Sequence, residues 1–430
     1  MSTVTANERL SQLGRELREE LSSTGDLSSD LFLRAGKLVV EELLKAEVAE
    51  ALGREPSERR EQGQSGYRNG FKSRSLKTAE GKLAVEVPQV REFVSEAGEQ
   101  QPYRSSIWQA LGRRSPKLDR MIVEMYARGL STRDIEDLLA ELGEEEKAPL
   151  LSRSSVSQIT EVLWEEFEAF AKRDLACFDV VYLFCDAVYE SLRQQAGVKQ
   201  AILVTWAILA DGSKVLLHIS QGNKESHESW LEHFRSLVAR NLPAPLTITS
   251  DGAPGCIKAI EAMWPESERL RCWVHKMKNI LEKVPAEMHE QMKNLLRDVR
   301  DAPDHETGKR RAAELIEKYR RQHPSAMACL EDDLEASLNH LKLPNTHRRT
   351  VRTTNLCERS FVEERRRAKV LPRFRSEREC LKLVFATLWR SSERWKKVKF
   401  TALEKAQLEQ YIKARQAAGK KVRDPFAQAA

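Results

Sequence analysis

Asp186 lies within VVYLFCDAV (residues 180–188), a β-branched and aromatic run that reads as a strand. A carboxylate among such neighbours is costly unless it faces a cleft, is paired, or holds a cation. Asp251 closes a second strand-like run, PLTITSD (245–251), and is followed by Gly252. In sheets with parallel strands, ligands gather at the carboxyl ends of the strands. If these two strands are neighbours, both carboxylates reach one place. Hard oxygen donors of this kind suit Mg2+, which takes carboxylates, waters and phosphate oxygens. Two such ions about 3.5–4 Å apart stabilise both the attacking and the leaving oxygen of an in-line phosphoryl displacement. That pair of sites needs a third carboxylate, and Glu358 in TTNLCERSFVEERRRAKV (353–370) is the candidate. Asn355 followed by Glu358 also fits a helix capping box, and the residues alone leave both readings open.

The elements that must position these groups follow from periodicity. Residues 28–53 read as an amphipathic helix with Leu31, Ala35, Leu38, Val39, Leu43 and Val48 near helical spacing. LKTAEGKLAVEVPQV reads as a hairpin turning at Glu80-Gly81. Within 117–170, one helix ends at Gly129, a second is capped by Ser131 or Thr132, and a third begins in SRSSVSQITEVLWEEFEAF. From 179 to 275 the order is strand, strand, strand, helix, strand, helix, strand, the last strand being RLRCWVH. Short connections, including Asp211-Gly212, make the first three strands antiparallel. Helical crossovers make the later ones parallel. Residues 286–341 read as helical and highly charged, and 353–398 as helical with a turn near Leu371-Pro372. The expected fold is thus an α/β core built on a mixed sheet, with an all-α segment inserted and a mainly helical N-terminal region.

At 430 residues, two or three domains are expected. No apolar run approaches the roughly 18 residues of a membrane span, and the N-terminus lacks the apolar core of a secretory signal. Seven cysteines without a CxxC pair predict a reduced, intracellular compartment. The overall charge of +6 is unevenly spread: residues 342–430 carry a net +15 and the remainder −9. A basic C-terminal portion predicts a polyanion partner or, equally, a solvated helical face.

Five stretches in order carry a resemblance: YRNGFKSRSLKTAEGKLAVEVPQVRE, YARGLSTRDIEDLLAELG, VVYLFCDAVYESLR, SDGAPGCIKAIEAMWPESERLRCWVHKMKNI and TTNLCERSFVEERRRAKV. Together they resemble the mutator-type transposases of bacterial insertion sequences, within the DDE superfamily, over about residues 67–398. The resemblance implies a ribonuclease-H-like catalytic domain with a helical insertion between the second and third acids. It carries those acids to Asp186, Asp251 and Glu358, and a Cys-x-x-His pair to Cys272 and His275. It implies two Mg2+ ions per site, with Mn2+ able to substitute, hydrolysis at 3′ ends, and attack on target DNA by the freed 3′-hydroxyls without a covalent protein–DNA intermediate. Its implied partners are double-stranded DNA, as terminal inverted repeats and as target, and further copies of the chain in a homodimer or larger assembly. The implied setting is the bacterial cytoplasm, at the nucleoid, with no membrane. The third motif departs from the family pattern at Ser360-Phe361 and Ala368-Lys369-Val370, and an EEE run at 144–146 lengthens the loop before the third N-terminal helix. The alternative is a non-catalytic DNA-binding regulator descended from such an enzyme.

Within that frame the boundaries are 1–60 (helical, self-associating through its apolar stripe), 61–115 (small, basic, β-containing), 116–172 (helix-turn-helix-like), 173–285 (first part of the catalytic domain), 286–345 (helical insertion) and 346–430 (last part and basic tail). Base reading in a major groove is done by polar side chains near a helix N-terminus. Arg153, Ser154, Ser155, Ser157 and Gln158 fit that role, as they also fit the exposed face of a plain bundle helix. Arg68, Lys72, Arg74 and Lys77 form a second basic cluster suited to phosphates. Arg359, Arg365, Arg366 and Arg367 follow the third acid; three consecutive arginines cannot share one helical face, so one or two are expected on DNA backbone. Cys272 and His275 alone do not close a zinc site and are expected to support the site by packing or hydrogen bonding.

Overall fold

The computed structural model describes residues 8, 11–12, 14–16, 19 and 30–426, apart from 62–65, 95–98, 142–148, 192–198, 223–224, 369–373, 375 and 394. The EEE run at 144–146, the Leu371-Pro372 turn and the Lys369-Val370 departure lie outside the described residues. The chain forms two compact units, residues 1–162 and 163–430. Among the described residues no helix is long and apolar enough to cross a membrane.

In the first unit, α1 (Asp30–Leu52) packs on an antiparallel hairpin of β1 (Tyr67–Thr78) and β2 (Gly81–Arg91). Thr78 pairs with Gly81, at φ 138°, so the two-residue turn is Ala79-Glu80, one residue before the expected Glu80-Gly81. The α1 stripe is divided. Leu44, Val48 and Leu52 are buried at four-residue spacing, and Leu44 joins Leu76, Leu83, Val85 and Val87 in a small core. Val39 and Leu43, one position round the helix, remain 57% and 49% exposed. Four short helices follow: α2 (Ser106–Leu111), α3 (Pro116–Ala127), α4 (Thr132–Ala140) and α5 (Arg153–Thr160). The chain leaves α3 through Gly129 at φ 100°, and Ser131 caps α4 in a reciprocal box with Asp134. Leu118, Ile122, Ile135, Leu139 and Val156 close the bundle.

The stretch expected as one third helix is two, α5 and α6 (Val162–Lys172). In the second unit, a five-stranded sheet runs in the order β5-β4-β3-β6-β7. Its strands are β3 (Val180–Ser191), β4 (Lys199–Leu209), β5 (Lys214–Gly222), β6 (Thr247–Ser250) and β7 (Glu268–Arg271). β3, β4 and β5 pair antiparallel, whereas β3–β6 and β6–β7 pair parallel, as the connections predict. Crossover helices α7 (His227–Ala239) and α8 (Pro254–Met263) cover one face. There Trp230, Phe234, Leu237 and Ile260 pack on Leu183, Leu203, Leu217 and Ile248. Fully burying one such side chain is worth about 1.5–3 kcal/mol.

The strand expected over 269–275 stops at Arg271, and α9 (Trp273–Leu281) starts two residues later. Trp273, Lys276 and Ile280 are its buried residues, a helical spacing that the short apolar run had masked. The charged segment is helical: α10 (His289–Arg300), α11 (His305–Tyr319), α12 (Pro324–Glu331) and α13 (Leu334–Leu338) share a core of Met292, Leu296, Leu315, Ile316 and Leu330 with α9. The chain then returns through α14 (Asn345–Val351) to α15 (Asn355–Ala368), which packs on β3 and on α16 (Glu377–Ser392). Phe167 and Phe170 of α6 pack against Phe385 of α16. α17 (Ala402–Ala417) is the last helix among the described residues.

Candidate active site

Parallel pairing sets Cys185 of β3 beside Ser250 of β6, so the next residues come side by side: Asp186 in the middle of β3 and Asp251 just past the carboxyl end of β6. Asp186 is 8% exposed. Burial, and next the Asp251 carboxylate, push its pKa up to about 7, against the opposing pull of the Ala187 amide, His275 and Thr354. Asp251 accepts from the Ala253 amide at 2.9 Å, which folds the loop after β6 back towards α8. Gly252 sits in that loop at φ 88°, a conformation that favours glycine.

Glu358 lies in the first turn of α15, with its amide bonded to the Thr354 carbonyl. Asn355 is the first helical residue, not the cap, so the capping-box reading of Asn355 and Glu358 does not hold. The Glu358 carboxylate instead lies 3.9 Å from His275 Nε2. His275 links the acids: its pKa is raised to about 9 by Cys272 first, and also by Asp186 and Asp251. Cys272 is buried, and its sulfur accepts from the Thr354 amide at 3.4 Å and hydroxyl at 3.6 Å. The ligand atoms of Cys272, His275 and Glu358 lie within 4.8 Å of one another.

These donors are of two kinds. The aspartates offer hard carboxylate oxygens, and a divalent cation would offset the burial, and next the Asp251 repulsion, that hold a proton on Asp186. The thiol already serves as an acceptor for Thr354.

Sequence reasoning missed Glu225, which burial and then Asp251 raise in pKa, and Tyr189, raised to about 12 by burial and its hydrogen bond to Glu225. Both border the acids. No motif marks Glu225, whose place depends on the loop before α7: a side chain at Gly255 would meet the backbone of Glu225, Ser226 and His227.

Of the other candidates, Arg68 is held by the carbonyls of Arg54 and Glu55. Lys72 is exposed. Arg74 rests 5.8 Å from the Trp108 ring and lines a cleft with Lys77, Arg113, Arg114 and Ser155. Arg153 pairs with Glu136 at 2.9 Å, and Gln158 is exposed on α5. On α15, Arg359, Arg365 and Arg366 are exposed, while Arg367 pairs with Glu363 at 2.6 Å. The structure thus separates the arginine run by face, as expected.

A sequence profile described as "Transposase, Mutator family" matches residues 6–398. The chain belongs to that family. It is 32% identical over 361 residues to the transposase for insertion sequence element ISRM5 of Rhizobium meliloti, covering 84% of this chain and 87% of that protein. It is 31% identical to the IS6120 transposase of Mycolicibacterium smegmatis, over 64% of this chain and 84% of the relative. With the IS256 transposase of Tn4001 from Staphylococcus aureus it shares 27% identity over 87% of this chain and 93% of that one. The mutator-family match spans the sheet, the helical segment and α15 together, so all three acids fall inside it.

Proposed function

We propose that this mutator-family transposase acts by DDE chemistry, cleaving the ends of its insertion sequence and joining them to target DNA, with Asp186, Asp251 and Glu358 as the catalytic acids. What supports this reading is the adjacency of Asp186 and Asp251 on neighbouring parallel strands, with His275 acted on by both aspartates and 3.9 Å from Glu358. The sheet order, its antiparallel and parallel halves, and the helical segment between Asp251 and Glu358 support a ribonuclease-H-like core with an inserted helical domain.

Asp186 and Asp251, with Glu358, would hold two Mg2+ ions, or Mn2+ in their place. Bound there, the ions supply charge neutralisation on the phosphodiester and a lowered pKa for the attacking water or 3′-hydroxyl. The protein's own part is placement. Burial in β3 fixes the Asp186 carboxylate, the Ala253 amide orients Asp251, and His275 restrains Glu358. Cys272 sets the start of α15 through Thr354. No serine or tyrosine nucleophile is called for.

The first unit is assigned the reading of terminal inverted repeats. Exposed Gln158 and the side chain of Arg153 on α5, with Arg74 and Ser155 at the basic cleft, support that assignment. Arg359, Arg365 and Arg366 are assigned to DNA backbone near the acids. Exposed Val39 and Leu43 on α1 support self-association, which pairing of two element ends would require. The test is a strand-transfer assay with end DNA and Mg2+. Glu358→Gln should abolish both cleavage and joining while leaving DNA binding intact; joining at the wild-type rate would refute the assignment.

A further inference from the structure

Arg271 ends β7, directly beside Ser250 in the parallel β6–β7 pair. It is 9% exposed. Among the described residues its guanidinium makes no hydrogen bond and no ion pair, and Nε is sealed from solvent with no acceptor. The hydroxyl of Ser250 is likewise buried and unpartnered. Other buried or partly buried arginines of this unit differ. Arg269, two residues earlier on the same strand, forks onto Asp333. Arg240 reaches the Phe170 carbonyl, and Arg173 the Leu216 carbonyl. The nearby Lys276 ammonium is bonded to the Asp332 carbonyl and gives Arg271 only repulsion.

The guanidinium lies against Gly252. Gly252 immediately follows Asp251, and the helix it leads into, α8, has no side-chain cap at its N-terminus. The cation is therefore parked against the backbone of the acid-bearing loop. Of the guanidinium nitrogens only Nε is sealed without an acceptor, which is costly to the fold, and a guanidinium is the side chain best matched to two phosphate oxygens at once. A charge kept at such cost in the wall of a site points to an anion that arrives from outside.

We propose that Arg271 is a DNA-phosphate contact of the acid site: its guanidinium takes the non-bridging oxygens of a phosphodiester adjoining the one presented to Asp186 and Asp251. The contact makes and breaks no covalent bond. It rests on the reading of those acids as a DNA-cleaving centre, and its test separates the two.

Full-length wild type, Arg271→Met, Arg271→Lys and Asp186→Ala are compared by thermal melting and by cleavage of a duplex carrying the inverted repeat that flanks the gene. In chloride, Arg271→Met should melt at or above the wild type, since a sealed and unsatisfied N–H has gone. It should lose the rise in Tm that inorganic phosphate, at matched ionic strength, gives the wild type. It should cleave the duplex at least about tenfold more slowly, with a salt dependence of DNA affinity smaller by about one phosphate contact. Arg271→Lys should keep part of both responses, and Asp186→Ala all of the phosphate response. A wild type that does not respond to phosphate, or an Arg271→Met that responds like the wild type or melts below it, overturns the proposal. If Asp186→Ala cleaves normally while Arg271→Met has lost the phosphate response, the acid-centre reading fails and the anion contact stands.

Discussion

The amide and hydroxyl of Thr354 both donate to the sulfur of Cys272, joining the residue before α15 to the residue before α9. This one sulfur therefore sets the spacing between His275 and Glu358, each of which begins one turn into its helix. Cys272→Ala leaves the buried Thr354 amide unsatisfied and its hydroxyl with Asp186 alone. It should cost about 1–3 kcal/mol and slow cleavage more than it weakens DNA binding. Cys272→Ser keeps an acceptor and should retain more of the rate. Chemical denaturation together with single-turnover cleavage checks both; an unchanged Cys272→Ala rate would reduce the sulfur to packing.

Asp186 gives the metal-free protein a pH dependence of definite sign. Its folded pKa, about 7, lies above the ordinary value of 3.8. The buried group is therefore favourable while protonated, and its contribution is lost as pH rises from about 4 through 7. Asp186→Asn removes that loss. In chelator at pH 8 it should be more stable than the wild type by up to about 4 kcal/mol, the gap closing near pH 4. Adding Mg2+ should stabilise the wild type and not the variant. Urea titrations across that range decide the matter.

A second, opposite dependence belongs to the core. His218 is driven down to about 3 by burial and then by Arg240, while His233, bonded to Thr205 and Ser220, is driven well below its usual value by burial and then His218. Both are accommodated as neutral rings. Their contribution is complete above about pH 6.5 and falls as the pH drops towards their folded values. At pH 4 one such histidine should cost at most about 3 kcal/mol. His218 Nδ1 has no partner, so His218→Phe should move acid unfolding to lower pH without harming the sheet. Circular dichroism against pH provides the reading.

The basic residues of the first unit should divide by what they touch. Arg74→Ala and Arg113→Ala, at the cleft, should each reduce the salt dependence of DNA affinity by about one contact with little effect on Tm. Arg68→Ala should act the other way, since its guanidinium spans the carbonyls of Arg54 and Glu55 at the end of α1. A lower Tm with near-normal DNA affinity in the folded fraction is the expected result. Binding isotherms at several salt concentrations, with melts of the same samples, distinguish the two classes.

Much of this arrangement was legible in the chain because it rests on local patterns. Alternation and turn residues locate β3, β4 and β5, and an aspartate inside an apolar strand announces itself by its cost. Glu358 was less plain: its spacing from Asn355 suggested a cap, and only packing of α15 on β3 separates a cap from a site residue. The end of β7 was misjudged because WVH, read alone, suits a strand or a helix. Glu225 and Arg271 left no local trace. Their significance arises from register and from loop closure at Gly252 and Gly255, which depend on residues far away in the sequence.

The long helical segment between Asp251 and Glu358 also orders events at the ribosome. A nascent chain that has emerged only as far as α13 already possesses every described strand of the sheet and both aspartates, yet lacks α15, which carries Glu358, the proposed third acid. Such a fragment would be a finished platform without a working edge. Premature termination between α13 and α15 should accordingly yield a product able to occupy element ends but unable to cut them, making such truncated copies natural competitors of the intact protein.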